Sequence, residues 1–198
     1  MTRENLRKLI LFSIFAAIII ILGMTPLGII VIPGLLSATL LHIPVIIGGC
    51  VLGWKYGAGL GFLFGMVSFI KNSFMPTSAT AYFFTPLLSG GNVWSVVICF
   101  VPRILIGVVA ALVFAALMKK NKILACVVAS IAGSLTNTVL VLSGISIFFG
   151  NVNEIFGKII KTAISINGGL EILAAVVLNV AIISVLSKLK VFKVNNAA

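Results

Sequence analysis

Val101-Pro102-Arg103 lies inside an otherwise apolar run, 93–118, and sets a proline beside the only cation of that run's interior. A proline within a helix removes the hydrogen bond to the carbonyl four residues back, here that of Ile98, and bends the helix. A guanidinium fixed at such a bend offers a planar fork of donors suited to a carboxylate or another oxyanion. Glu171 falls in the first turn of a second apolar run, 168–186. Ionisable groups inside apolar spans are costly and mark ligand or ion sites by default. Two readings of the pair stand open. Arg103 meets an anionic ligand in a polar pocket, or Arg103 and Glu171 form an ion pair that joins two helices. Both hold if ligand binding rearranges the pair.

Amides and aromatics extend the candidate set. Asn137 sits mid-run between Thr136 and Thr138, where the alternative to ligand contact is a hydrogen bond between helices. Asn92 and Asn167 each precede an apolar run, so either can cap a helix or touch a ligand. His42, early in the run 38–52, is a packing residue or a ligand contact, and Phe74 and Tyr82 can stack on a ligand from the stretch 71–92. No catalytic set accompanies them. One histidine, three glutamates and no aspartate leave too few ligands for a metal site. Cys50, Cys99 and Cys126 have no Cys-x-x-Cys spacing and read as buried free thiols. No phosphate-binding loop, His-Glu-x-x-His or Gly-x-Ser-x-Gly is present. Glu171 alone does not make a proton relay. The expectation is a protein that is no enzyme and carries no cofactor.

The elements that hold these residues follow from composition. Of 198 residues 61% are hydrophobic and 9% charged, with a mean hydropathy of +1.31; soluble domains run at about 45–50% apolar and about 25% charged. The chain is an all-α polytopic membrane protein, a single domain over 1–198. At roughly 20 residues per span it holds six helices, at about 9–23, 38–52, 58–70, 93–118, 124–149 and 168–186. The first resembles a secretory leader, but Gly23-Met24-Thr25-Pro26 offers no cleavage site, which favours a retained helix. Spans two and three are short and require tilt or burial among other helices. No inverted repeat is visible.

With six spans, the termini share a side with the turns at Lys55 and Lys119–Lys122. That side carries Arg3, Arg7, Lys8, Lys55, Lys119, Lys120, Lys122, Lys188, Lys190 and Lys193, ten of 14 cations; Lys71, Arg103, Lys158 and Lys161 make up the rest. The positive-inside rule makes both ends cytoplasmic, and it explains a pI near 10.1 without nucleic acid. The outward segments 24–37, 71–92 and 150–167 exceed the inward turns in length. The second is apolar enough to fold onto the bundle as a lid, the alternative being a place in the headgroup layer. Gly57, Gly61 and Gly65 make a smooth face for a neighbouring helix, and Ser13 and Ala17 make a smaller one on the first span, internal or open to a partner.

The segments Thr39-Leu40-Leu41-His42-Ile43-Pro44-Val45-Ile46-Ile47-Gly48, Leu52-Gly53-Trp54-Lys55-Tyr56-Gly57-Ala58, Leu60-Gly61-Phe62-Leu63-Phe64-Gly65 and Val101-Pro102-Arg103-Ile104-Leu105-Ile106-Gly107, in this order, resemble the substrate-binding S components of energy-coupling factor (ECF) vitamin transporters. The likeness covers about residues 8–188 and is greatest to the pantothenate type. It implies a six-helix bundle that binds a water-soluble vitamin under its outward loops, with Asn92, Arg103, Asn137, Asn167 and Glu171 in the pocket regions. It also implies a membrane coupling subunit and two cytoplasmic ATPases as partners. The family's Ala-x-x-x-Ala contact is matched here only by Ser13-x-x-x-Ala17. Pantothenate would set its carboxylate on Arg103 and its hydroxyls on Asn137 or Asn167. Thiamine or its precursor, riboflavin and folate are the alternative vitamins, and a stand-alone channel or facilitator is the alternative of another class.

Overall fold

The computed structural model describes residues 3–30, 38–76, 81–149 and 168–188. Six α-helices occur among them: α1 (Arg3–Met24), α2 (His42–Leu52), α3 (Trp54–Phe74), α4 (Val93–Leu117), α5 (Lys122–Phe148) and α6 (Gly168–Lys188). By length and composition α1, α4 and α5 are able to cross a membrane. The connection 150–167 lies outside the described residues, as does Asn167. The bundle has a turn end, with the α2–α3 and α4–α5 turns, and a loop end, with the longer connections.

The second helix begins at His42, not at 38 as the hydropathy run suggested. Ala38 and Thr39 instead form strand β2, paired antiparallel with β1 (Ile29–Ile30) in the register Ile29–Thr39 and Ile30–Ala38, and the Leu40 N–H continues the ladder to the Gly28 carbonyl at 3.0 Å. Pro44 is tolerated because it falls in the first turn, where its missing N–H has no helical partner to lose. Every residue of α2 is buried. Eleven residues rise only about 16 Å, far short of the roughly 30 Å of bilayer hydrocarbon, yet α2 packs against all five other helices. A helix that never meets lipid has no need to match its thickness.

α3 is longer at both ends than the apolar run 58–70 indicated. Gly53, at φ +95°, turns the chain from α2 into α3 in a single residue, a conformation open to glycine. At the other end Lys71 lies in the last turn, where a cation offsets the exposed carbonyls. Lys71 and Phe74 are thus helical rather than part of a loop.

The glycines of α3 set the approach of α4. A Cβ on Gly57 would come within 2.6 Å of the Gly107 carbonyl oxygen, a Cβ on Gly61 would collide with the Arg103 carbonyl, and one on Gly65 would lie 2.9 Å from the Phe100 ring. The two helices therefore run antiparallel with backbones in contact, and the glycine face is internal. Gly49 of α2 meets the same Gly107 carbonyl, so three helices converge there. A methyl group on Gly107 would strike the Gly57 carbonyl oxygen, backbone that cannot swing aside. Gly107→Ala is expected to cost about 2–3 kcal/mol, read as a fall of roughly 5–10 °C in melting temperature in detergent; Gly169→Ala, where an added Cβ meets nothing within 4 Å, should melt like the parent.

Candidate functional site

The site begins with the proline of α4. Pro102 leaves the Ile98 carbonyl without its helical donor, and the Arg103 Nη1 donates to that oxygen at 2.9 Å. The bend and the cation are one device, since the residue after the proline satisfies the acceptor that the proline strands. The Arg103 side chain is 7% exposed. Its guanidinium carbon lies 4.7 Å from the ring centre of Phe84 and 5.5 Å from that of Phe64, within the range of cation–π attraction. Phe64 is on α3 and Phe84 ends a short 3-10 turn, Ala81–Phe84.

That turn is held down onto the bundle. Phe83 is fully buried and packs with Ile98 and Ile145, and its ring meets that of Phe149 edge-on at 4.9 Å. Tyr82 lies 6.0 Å from the same Phe149 ring, and its carbonyl accepts from the Ser95 hydroxyl at 2.9 Å. Thr85, buried, shares a 2.7 Å hydrogen bond with Ser73 of α3. Of the two readings of the 71–92 stretch, its residues 81–85 take the lid arrangement. Phe74, by contrast, is exposed.

Asn92 caps α4. Its side-chain oxygen accepts from the Ser95 N–H at 3.3 Å while the Ser95 hydroxyl accepts from the Asn92 N–H at 3.1 Å, a reciprocal capping box. Ser95 therefore ties together the helix start and the lid turn.

Asn137 is on α5. A Cβ on Gly133 would touch Ile46 of α2 and Ala110 of α4, and one on Gly144 would touch Ile98. Asn137 is four residues beyond Gly133, hence on the same face, at a level between Ala110 and Ile98 and within about a turn of Arg103. His42, buried, precedes Ile46 by four residues and reaches the same layer from α2. The Thr136 and Thr138 hydroxyls are spent on carbonyls of their own helix, at 2.7 and 3.2 Å. The Asn137 Oδ1 and the Ser134 hydroxyl are buried with no hydrogen-bond partner among the described residues. Such groups cost stability unless something satisfies them.

α6 is registered by Asn179, which is fully buried and donates to the Ser130 hydroxyl and, at 3.2 Å, to the Cys126 carbonyl. Glu171 precedes Asn179 by eight residues and Asn137 follows Ser130 by seven on the antiparallel α5, so at about 1.5 Å per residue the Glu171 backbone arrives at the level of Asn137. The Glu171 side chain lies outside the described residues. Arg103, Asn137 and His42 thus share a layer with the Glu171 backbone, whereas Phe74 stands apart and Asn92 serves the frame.

Phe64, Phe84, Ser134 and Asn179 were not singled out by residue type. Phe84 carried a signal as part of an aromatic loop cluster. Asn179 carried a stronger one, an amide mid-span as conspicuous as Asn137.

A family model for "ECF transporter, substrate-specific component" matches residues 7–187. The chain belongs to that family. It is also 35% identical over 199 aligned positions, covering 95% of this chain and 97% of its relative, to the pantothenic acid transporter PanT of Lactococcus lactis subsp. cremoris (strain MG1363). The chain is accordingly a multi-pass protein of the bacterial cell membrane and the substrate-binding subunit of an ECF transporter, with a role in transport.

Ser95→Ala removes both the cap acceptor and the tie to Tyr82. The expected cost is about 1 kcal/mol, with faster amide hydrogen exchange confined to residues 81–85 and the first turn of α4. Unchanged exchange there would mean that the lid turn is held by its aromatics alone.

Proposed function

We propose that this S component binds pantothenate in the loop-end layer, with the vitamin's carboxylate on Arg103. The observation that carries the reading is the buried guanidinium, braced by the Ile98 carbonyl and two aromatic rings. A guanidinium held in this orientation presents a planar fork of donors that a carboxylate can meet with two parallel hydrogen bonds. The Asn137 amide and Ser134 hydroxyl, both bearing buried atoms without partners among the described residues, suit the vitamin's hydroxyls and amide. The name of the Lactococcus relative, a pantothenic acid transporter, favours this vitamin over a cationic one. Asn167 and Glu171 would complete the pocket from the start of α6, with Tyr82 and His42 lining it. Asn92 would contribute through the capped end of α4, whereas Phe74, exposed at the end of α3, would lie outside the pocket.

The same reading sets both termini in the cytoplasm, since the turn end carries most of the cations, and opens the site outward. A membrane coupling subunit and two cytoplasmic ATPases would supply the energy. Ser13 and Ala17 are exposed on α1 beside Ile10, Ile14 and Ile21, each about half exposed, and this face would receive the coupling subunit.

Removing one partner of a buried charge pair costs about 2–5 kcal/mol. Arg103→Met should therefore weaken pantothenate binding by a factor of about 30 or more in calorimetry. The uncharged alcohol analogue, pantothenol, should bind the parent protein poorly and lose little further in the variant. Equal affinity of the parent for both compounds would remove Arg103 from carboxylate recognition.

A further inference from the structure

We propose that the turn end of the bundle carries a second binding site, for the headgroup and upper acyl chain of an anionic phospholipid. A cavity of about 500 Å³ opens there between the end of α2, the start of α3 and the end of α4. It lies far from the vitamin layer, since Met118 on its wall follows Arg103 by 15 residues, about 22 Å along a helix.

The hollow has a structural cause. Gly53 breaks the chain between α2 and α3, and a Cβ built on it would meet nothing within 4 Å. Opposite, α4 contributes the small side chain of Ala115. The flanks are apolar and open to the surface, with Leu112 and Trp54 each about half exposed. In a membrane-spanning bundle such a flank meets hydrocarbon, and a tryptophan at a helix end marks the headgroup level.

The rim is cationic. Lys119 lines the cavity, Lys120 and Lys55 are exposed beside it, and the Lys55 Nζ lies 5.7 Å from the Trp54 ring centre. Neither turn, 53–57 or 118–122, contains an acidic residue. Basic pockets between membrane helices hold anionic headgroups. A free phosphate would use the lysines and waste the apolar wall. A zwitterionic lipid would use the wall but gain less from the lysines. An anionic phospholipid uses both, which is why charge and shape together select it.

The test is native mass spectrometry of the purified protein given equal amounts of phosphatidylglycerol and phosphatidylcholine with identical chains. The expected result is one retained phosphatidylglycerol, favoured several-fold. Lys119→Gln should cut that preference about fivefold, the effect of one surface lysine, and leave phosphatidylcholine retention unchanged. Ala115→Trp, which fills the cavity, should lose the retained lipid. Lys119 lies exposed in the α4–α5 turn, so the result of Lys119→Gln stands even if Ala115→Trp melts early. Glycerol 3-phosphate at millimolar concentration should displace nothing. Equal retention of the two lipids by the parent protein, as expected of a hollow reserved for a protein partner, would overturn the proposal. So would a preference that survives Lys119→Gln, retention that survives a folded Ala115→Trp, or displacement by glycerol 3-phosphate.

Discussion

A guanidinium inside a membrane bundle is the constraint around which the rest is arranged. By insertion scales an arginine at the centre of a spanning helix costs about 2.5–3.5 kcal/mol, and here it is almost wholly removed from the surface. The protein reduces that cost locally. Pro102 strands the Ile98 carbonyl, Arg103 takes it, and Phe64 and Phe84 present their ring faces to the same cation. Each contact also fixes orientation. A side chain held by a carbonyl and two rings has few other rotamers, so the charge is delivered to one place at the loop end. Preorganisation of this kind spares a ligand the expense of ordering its own site.

The bundle around it serves the same end. α2 is sheathed on all sides, which frees it from the length demanded of a lipid-facing helix and lets His42 sit in the layer of Arg103 and Asn137. The contacts of Gly61 and Gly65 with Arg103 and Phe100 bring α3 close enough for Phe64 to reach the guanidinium. Asn179, clasped to Ser130 and Cys126, fixes how far α6 can slide along α5 and hence where its first turn arrives. Ser95 does two jobs with one hydroxyl, capping α4 and holding the lid turn whose Phe84 covers the cation.

Much of this was legible in the chain itself, and the parts that were not have physical reasons. Hydropathy revealed the bundle because lipid is an unforgiving solvent, and Pro102-Arg103 announced itself as an expensive pair. The Gly57-Gly61-Gly65 face pointed to a close helix neighbour without saying which one. Boundaries were less visible. The β1–β2 pair shifts the start of α2, and hydropathy did not show it because Ala38 and Thr39 carry no charge to interrupt the apolar run. Lys71 looked like a loop residue because charge, unlike the backbone hydrogen bonds that continue to Phe74, breaks a hydropathy run. Asn92 offered two roles by type, and only the reciprocal bonds with Ser95 identify its capping one. Ser134 is invisible as a pattern, since a serine in a membrane helix ordinarily bonds its own backbone, as Thr136 and Thr138 do here.

The most direct measurement is the mass of the small molecule that accompanies the protein, gently purified from cells. If the braced cation exists to meet a carboxylate, the parent protein will carry a stoichiometric acidic vitamin with the mass of pantothenic acid, and Arg103→Met will carry none. A bound compound without an acidic group, or the same acid retained in full by the variant, would contradict the account.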